Sequence, residues 1–214
     1  MNIIFDLDGT LINSSKGILS ALKMAFDVCK IEPKKILTDQ LIGPPLNKLL
    51  PTLLSDENLN SVEPLTAAFK ERYDNEGYKN LSVFSDVEVM LAKLSEQGHT
   101  LYIATNKRII PTKKIIPFLG WSHYFDEIYA LDSFPNLENK QYLIENIMDL
   151  HNMEKETTLY IGDTVADFKA SKANGLEYIM VLWGYDSDGW QGEYCAISPV
   201  GVLDCISEIS SNQI

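Results

Sequence analysis

The sequence predicts an α/β fold: a parallel sheet with helices on both faces, and an all-helical segment inserted after the first strand. Three observations predict it. From about residue 81 onward, short β-branched and aromatic runs alternate with helical patterns, which builds a parallel sheet. One further apolar run, Ile3-Ile4-Phe5, stands apart at the N-terminus. Between them, residues 14–80 show helical periodicity and no convincing strand.

The first strand breaks into Asp6-Leu7-Asp8-Gly9-Thr10, where Gly9 marks a turn. Asn13-Ser14-Ser15 offers capping side chains ahead of a helix patterned by Ile18, Leu19, Leu22 and Phe26. The helices that follow are expected to be broken at Pro33, Gly43-Pro44-Pro45 and Pro64, ending near Glu76-Gly77. Then come a helix near 86–97, strand 101–104, a helix near 111–119 and strand 127–130. A helix near 140–150, strand 158–161, a helix near 165–174, strand 178–182 and a helix over about 200–209 complete the pattern.

Composition narrows the function classes. The 214 residues are 45% hydrophobic and 22% charged, ordinary for a globular protein with a substantial core. No apolar stretch is long enough for a membrane span, and no leader pattern precedes the first strand, so a cytoplasmic protein is expected. The three cysteines, Cys29, Cys195 and Cys205, lack metal spacing and are expected to be reduced thiols. A formal charge of −12 argues against a nucleic-acid backbone as partner, though not against a small anion bound at a locally positive site. Monomer and homodimer both remain open.

Residues i and i+2 of an extended segment point the same way, so Asp6 and Asp8 should project together from the strand end. Carboxylates that close require a cation or a shared proton. A calcium loop starting at Asp6 fails, because Leu11 falls where glycine is needed and Gly17 where glutamate is needed. Ligands of parallel sheets bind beyond the carboxyl ends of the strands. Thr105-Asn106-Lys107 ends a second strand, and Gly162-Asp163-Thr164 ends another, with Asp167 one helical turn on. Lys140 stands at a helix start, where the helix dipole adds to its charge. There is no GxxxxGK[ST] loop, no HExxH and no zinc cluster, and His99, His123 and His151 are scattered. Trp121, Trp183 and Trp190 read as core or rim residues.

These motifs together resemble those of the haloacid dehalogenase-like hydrolases, and within them the phosphoglycolate phosphatase-like group. Asp6-Leu7-Asp8-Gly9-Thr10 is similar to the first motif, Ala104-Thr105-Asn106-Lys107 to the second, Lys140 to the third and Gly162-Asp163-Thr164-Val165-Ala166-Asp167 to the fourth. Gly43-Pro44-Pro45-Leu46 and Trp183-Gly184-Tyr185 also resemble segments of that group. The resemblance implies a Rossmann-like three-layer core, residues 1–13 and 81–214, and a helical cap domain, residues 14–80. It implies Asp6 as nucleophile and Asp8 as general acid and base. Mg²⁺ would be held by Asp6, the Asp8 carbonyl and Asp163. Thr105, the Asn106 amide and Lys140 would hold the phosphate, supported by Thr10 and Asp167.

The expected activity is hydrolysis of a small phosphorylated metabolite: a phosphoglycolate-like ester, a sugar phosphate or a nucleotide. Inorganic pyrophosphate also remains open. An aspartate at position 8 favours phosphoryl transfer over dehalogenation, which protonates no alkoxide. A sugar phosphomutase of the β-phosphoglucomutase kind is the alternative within the same chemistry, and a catalytically idle binding protein the alternative outside it. Gly43 is the candidate for substrate specificity, because Gly43-Pro44-Pro45 should form a stiff turn able to reach the site. Lys48, Lys70 and Arg72 are further candidates for a second anionic group.

Overall fold

The computed structural model describes residues 1–186 and 189–212. β1 (Asn2–Phe5) runs into the first motif and is followed by the two-residue β2 (Ile12–Asn13). Three helices come next: α1 (Ser15–Cys29), α2 (Leu46–Thr52) and α3 (Val62–Asn75). The chain returns through β3 (Ser82–Val83) and then alternates through α4 (Val87–Glu96), β4 (Thr100–Thr105), α5 (Ile109–Phe118) and β5 (Phe125–Ala130). It continues with α6 (Lys140–His151), β6 (Thr158–Gly162), α7 (Val165–Ala173), β7 (Glu177–Val181), β8 (Cys195–Ala196) and α8 (Pro199–Asn212).

Six strands form one sheet in the order β5-β4-β1-β6-β7-β8, and every pairing in it is parallel. β1 lies inside this sheet, in register with β4 on one side and β6 on the other, so Phe5 stands beside both Ile103 and Ile161. The two-residue period of the strands sorts their side chains. Ile3 and Phe5 join Leu101, Ile103, Leu159 and Ile161 on the face covered by α4, α5 and α8. Ile4 joins Tyr102, Ala104, Tyr160 and Tyr178 on the face covered by α6 and α7. Burial on both faces explains why these strands read as continuous apolar runs.

The helical segment has its own core. Leu22 and Phe26 of α1, Leu50 of α2 and Leu65, Phe69 and Tyr73 of α3 bury together. The chain enters and leaves this segment side by side, because β2 and β3 pair antiparallel through Ile12 with Val83 and Asn13 with Ser82.

Three expectations need correction. Pro64 breaks no helix; it sits in the first turn of α3, where a missing N–H removes no intrahelical bond. Ser14 flanks α1 but makes no side-chain cap, and its hydroxyl turns instead to Asp8. Strand β8 and the β2–β3 pair were not expected, since two-residue pairings carry too short an alternation to be read from sequence.

Candidate active site

The strand ends converge as the sequence predicts. Asp6 extends the ladder of β1, its N–H donating to the Ile161 carbonyl at 2.9 Å. Leu7 is fully buried in the core, and its carbonyl accepts the N–H groups of Leu11 and Ile12. That turn fixes Asp6 and Asp8 on either side of an apolar anchor. Both reach a cleft also lined by Thr105 and Asn106.

Lys140, the first residue of α6, is buried although lysine is seldom found inside. Its Nζ lies 3.1 Å from Asp6 Oδ1 and donates to Asp167 Oδ1 at 2.5 Å. The α6 terminus that carries it is capped by the Asn139 side chain, which accepts the Tyr142 N–H. Asp167 has both oxygens engaged, Oδ2 accepting from Thr164 Oγ1 at 2.7 Å. Thr164 also caps α7, its hydroxyl oxygen accepting the Asp167 N–H at 3.0 Å. Of the two roles the sequence left open for Asp167, support of Lys140 or of a metal-bound water, the contact seen is the one with Lys140.

Asp163 is fully buried at the end of β6. Thr10 Oγ1 donates to its Oδ1 at 3.2 Å and the Tyr185 N–H to its Oδ2 at 2.8 Å. Two glycines make room for it. A Cβ on Gly9 would stand 2.1 Å from Asp163 Oδ2, and one on Gly184 would stand 2.2 Å from Asp163 Cβ. Gly9 also holds φ +86°, which residues with a side chain adopt with strain.

The electrostatics are those of a site short of positive charge. Burial, only partly offset by Lys140, raises the Asp6 carboxyl to about 6, with Asp167 and Asp8 adding to the rise. Burial together with the charges of Asp6 and Asp167 raises Asp163 to about 8. Burial opposes the charge on Lys140, but Asp167 and Asp6 outweigh it and hold the ammonium protonated well above the usual lysine range. Carboxylate oxygens of Asp6, Asp163 and Asp167 lie within 4.8 Å of one another. Among the described residues none makes a well-formed hydrogen bond to the buried Asp6 Oδ1, despite the nearby Lys140 charge. An orphaned carboxylate oxygen facing a crowded acidic cluster fits a hard divalent cation. Each oxygen of Asp163 and Asp167 already accepts one donor, but Asp167 is committed to the Lys140 ammonium. Asp6 with its open Oδ1 and Asp163 with neutral donors only are therefore the carboxylates that could hold one.

Asp8 has a separate environment. Ser14 Oγ donates to its Oδ1 at 2.5 Å, and Lys107 Nζ to its Oδ2 at 2.8 Å. Neither partner was legible in the sequence. Ser14 reads as a helix cap, and Lys107 as part of a strand-end polar run. Tyr185 was another partner missed, its hydroxyl donating to Asn13 Oδ1 and accepting the Ser14 N–H. Thr105 is buried, and its hydroxyl oxygen accepts the Lys107 N–H at 3.2 Å.

Asn106 turns its side chain to the helical segment, donating to the Gly43 carbonyl at 3.0 Å. Gly43 therefore does reach the site, at φ +125° with open space where a side chain would start. It borders both the mostly apolar cleft beside Asp8 and a wider cavity of about 670 Å³ beside Asp6 and Lys140. Lys48 lines that wider cavity and donates to the Glu138 carbonyl at 2.9 Å. Lys70 borders another groove with Asn106 and Arg108. Arg72 lines a groove with Met24 and Val28 that none of the catalytic candidates shares.

Comparison with known proteins agrees with this geometry. The model of the haloacid dehalogenase-like hydrolases matches residues 3–181. A 5'-nucleotidase of Pseudomonas aeruginosa is 30% identical over 188 residues, covering 87% of this chain and 85% of its own. A phosphoglycolate phosphatase of Aquifex aeolicus is 31% identical over 186 residues, covering 86% and 85%. Among solved structures, a haloacid dehalogenase-like hydrolase of Streptococcus pneumoniae superposes with a TM-score of 0.84 at 27% identity, covering 96% of this chain and 97% of its own. With its motif aspartates gathered at the carboxyl edge of a parallel sheet, the chain belongs to the haloacid dehalogenase-like hydrolase family, as one of its phosphatases.

Proposed function

We propose that the protein is a Mg²⁺-dependent phosphatase that hydrolyses a small phosphomonoester through an aspartyl-phosphate on Asp6. The observation that carries this reading is the division of labour between the two motif aspartates. Asp6 lies in the acidic cluster beside Lys140, 3.1 Å from its Nζ, whereas Asp8 lies outside that cluster, held by Ser14 and Lys107.

Asp6 attacks phosphorus, the ester P–O bond breaks, and the departing alkoxide takes a proton from Asp8. Asp8 then removes a proton from the water that cleaves the acyl phosphate and frees Asp6. Lys140, the Thr105 hydroxyl and the Asn106 amide hold the transferring oxygens as their charge redistributes. Thr10 and Asp167 support Asp163 and Lys140. Mg²⁺ would be held by Asp6, Asp163 and the Asp8 carbonyl, and when bound supplies the positive charge that lets an anionic nucleophile approach an anionic phosphate.

Residues 14–80 form a cap domain over this site, and residues 1–13 and 81–214 the core. The cap excludes bulk water when docked. The test is a phosphate-release screen over phosphoglycolate, sugar phosphates, nucleoside monophosphates and pyrophosphate. Turnover is expected with Mg²⁺ and not after chelation. Quantitative conversion of one sugar phosphate to its isomer, without phosphate release, would replace this reading by a mutase.

A further inference from the structure

We infer that Lys107 is a positioning residue that fixes the Asp8 carboxylate for proton transfer and ties that alignment to the docking of α3. The inference rests on the phosphatase reading for its kinetic part. Lys107 Nζ and Asp8 Oδ2 meet at 2.8 Å with side chains only 5% and 11% exposed, so the pair is largely removed from water. The same ammonium stands 4.7 Å from the ring centroid of Tyr73 on α3. Tyr73 stacks on Phe69 in the core of the helical segment, with ring centroids 5.3 Å apart. Among the described residues its buried hydroxyl makes no well-formed hydrogen bond, but it lies close to Lys107 and Ser14, so the lysine meets both the ring and the hydroxyl end of Tyr73.

The next residue along each of the two segments repeats the connection. Arg108 pairs with Asp74, and Lys114 Nζ donates to the Asp74 carbonyl at 2.8 Å. Asp8 is thereby held at both oxygens, one by Lys107 and one by Ser14 at the entrance to α1. Displacing α3 strips Lys107 of its aromatic face and lets water reach the ion pair. If α3 merely needed an anchor, an apolar residue would serve at lower desolvation cost than a buried lysine. What a lysine adds is a fixed direction for the Asp8 carboxylate.

Proton donation matters most when the leaving group is strongly basic, and that is what the test exploits. The probes are the best alkyl phosphomonoester from the screen and p-nitrophenyl phosphate, whose nitrophenolate departs without help. Losses are read in kcat/KM, which covers the steps up to departure of the leaving group, because the later water attack needs Asp8 with either ester. In Lys107→Met it should fall about 10²-fold on the alkyl ester and by no more than about threefold on the aryl ester. Lys107→Arg, which retains the cation, should recover most of the loss. Equal losses on both esters would assign Lys107 to phosphate binding or to folding and overturn the inference, as would no loss on either.

Hydrogen exchange gives a readout independent of turnover. Amides of residues 62–75 should exchange faster in both Lys107→Met and Asp8→Asn than in the wild type. Unchanged exchange in both would overturn the link to α3. Failure of the phosphatase reading shows differently, as a wild-type protein inactive on both esters, and the exchange result still decides the coupling in that case.

Discussion

At Asp6 two forces oppose each other: burial among carboxylates favours the protonated acid, while Lys140 favours the charged form that the proposed attack on phosphorus requires. Replacing Asp6 by asparagine removes the proposed nucleophile and one charge from a crowded cluster. Asp6→Asn should reduce phosphate release by at least about 10³-fold. The same variant should melt higher than the wild type without metal, because the repulsion with Asp163 and Asp167 is relieved. Measuring both on one preparation separates a chemical role from a structural one. Gly9 is a residue-scale constraint of another kind. Gly9→Ala places a methyl 2.1 Å from Asp163 Oδ2 at a φ of +86°. It should cost more than about 1 kcal/mol in urea unfolding and also lower turnover.

At the scale of elements, the four residues from the last position of β4 onward, 105–108, link the cleft beside Asp8 to the helical segment. Thr105 borders the cleft, Asn106 holds the Gly43 carbonyl, Lys107 holds Asp8, and Arg108 pairs with Asp74 on α3. The Arg108–Asp74 pair is only 16% exposed on each side chain, so its charges are weakly screened. A double-mutant cycle with Arg108→Ala and Asp74→Ala should return a coupling of about 0.5–3 kcal/mol by chemical denaturation. A coupling near zero would mean that apolar packing alone docks α3. The paired β2 and β3 stand where the chain enters and leaves the helical segment.

For the molecule as a whole, the acidic cluster makes stability depend on pH in a definite sense. Asp6 and Asp163 titrate at about 6 and about 8 in the folded chain, against 3.8 ordinarily. Between those limits the folded state binds more protons than the unfolded state, so stability falls as pH rises. Their contribution is fully present below the ordinary carboxylate range and lost on passing through pH 6 to 8. Without metal, the wild type should lose melting temperature between pH 5 and pH 8 more steeply than Asp163→Asn. Added Mg²⁺ should raise the wild-type melting temperature more at pH 8 than at pH 5, and should hardly move Asp163→Asn. A larger Mg²⁺ shift at pH 5 would contradict the assignment.

Much of this was legible in the sequence, and for a physical reason. A strand buried on both faces must be apolar throughout, and a polar residue at its end must face the edge of the sheet. Asp6, Thr105 and Asp163 are therefore visible as interruptions of apolar runs, and the alternation of strand and helix from residue 81 fixes the parallel topology that brings those ends together. Lys140 is readable only because it stands at a helix start within that order.

What only the tertiary structure decided is which charge meets which. Lys107 and Asp8 are 99 positions apart, and no local pattern pairs them. Ser14 has the side chain of a helix cap, yet it serves Asp8 because the turn at Leu7 carries that carboxylate to it. Backbone periodicity is a property of neighbouring residues and is written into the sequence. The partner of a buried charge is set by how separate elements pack, and only the folded chain specifies it.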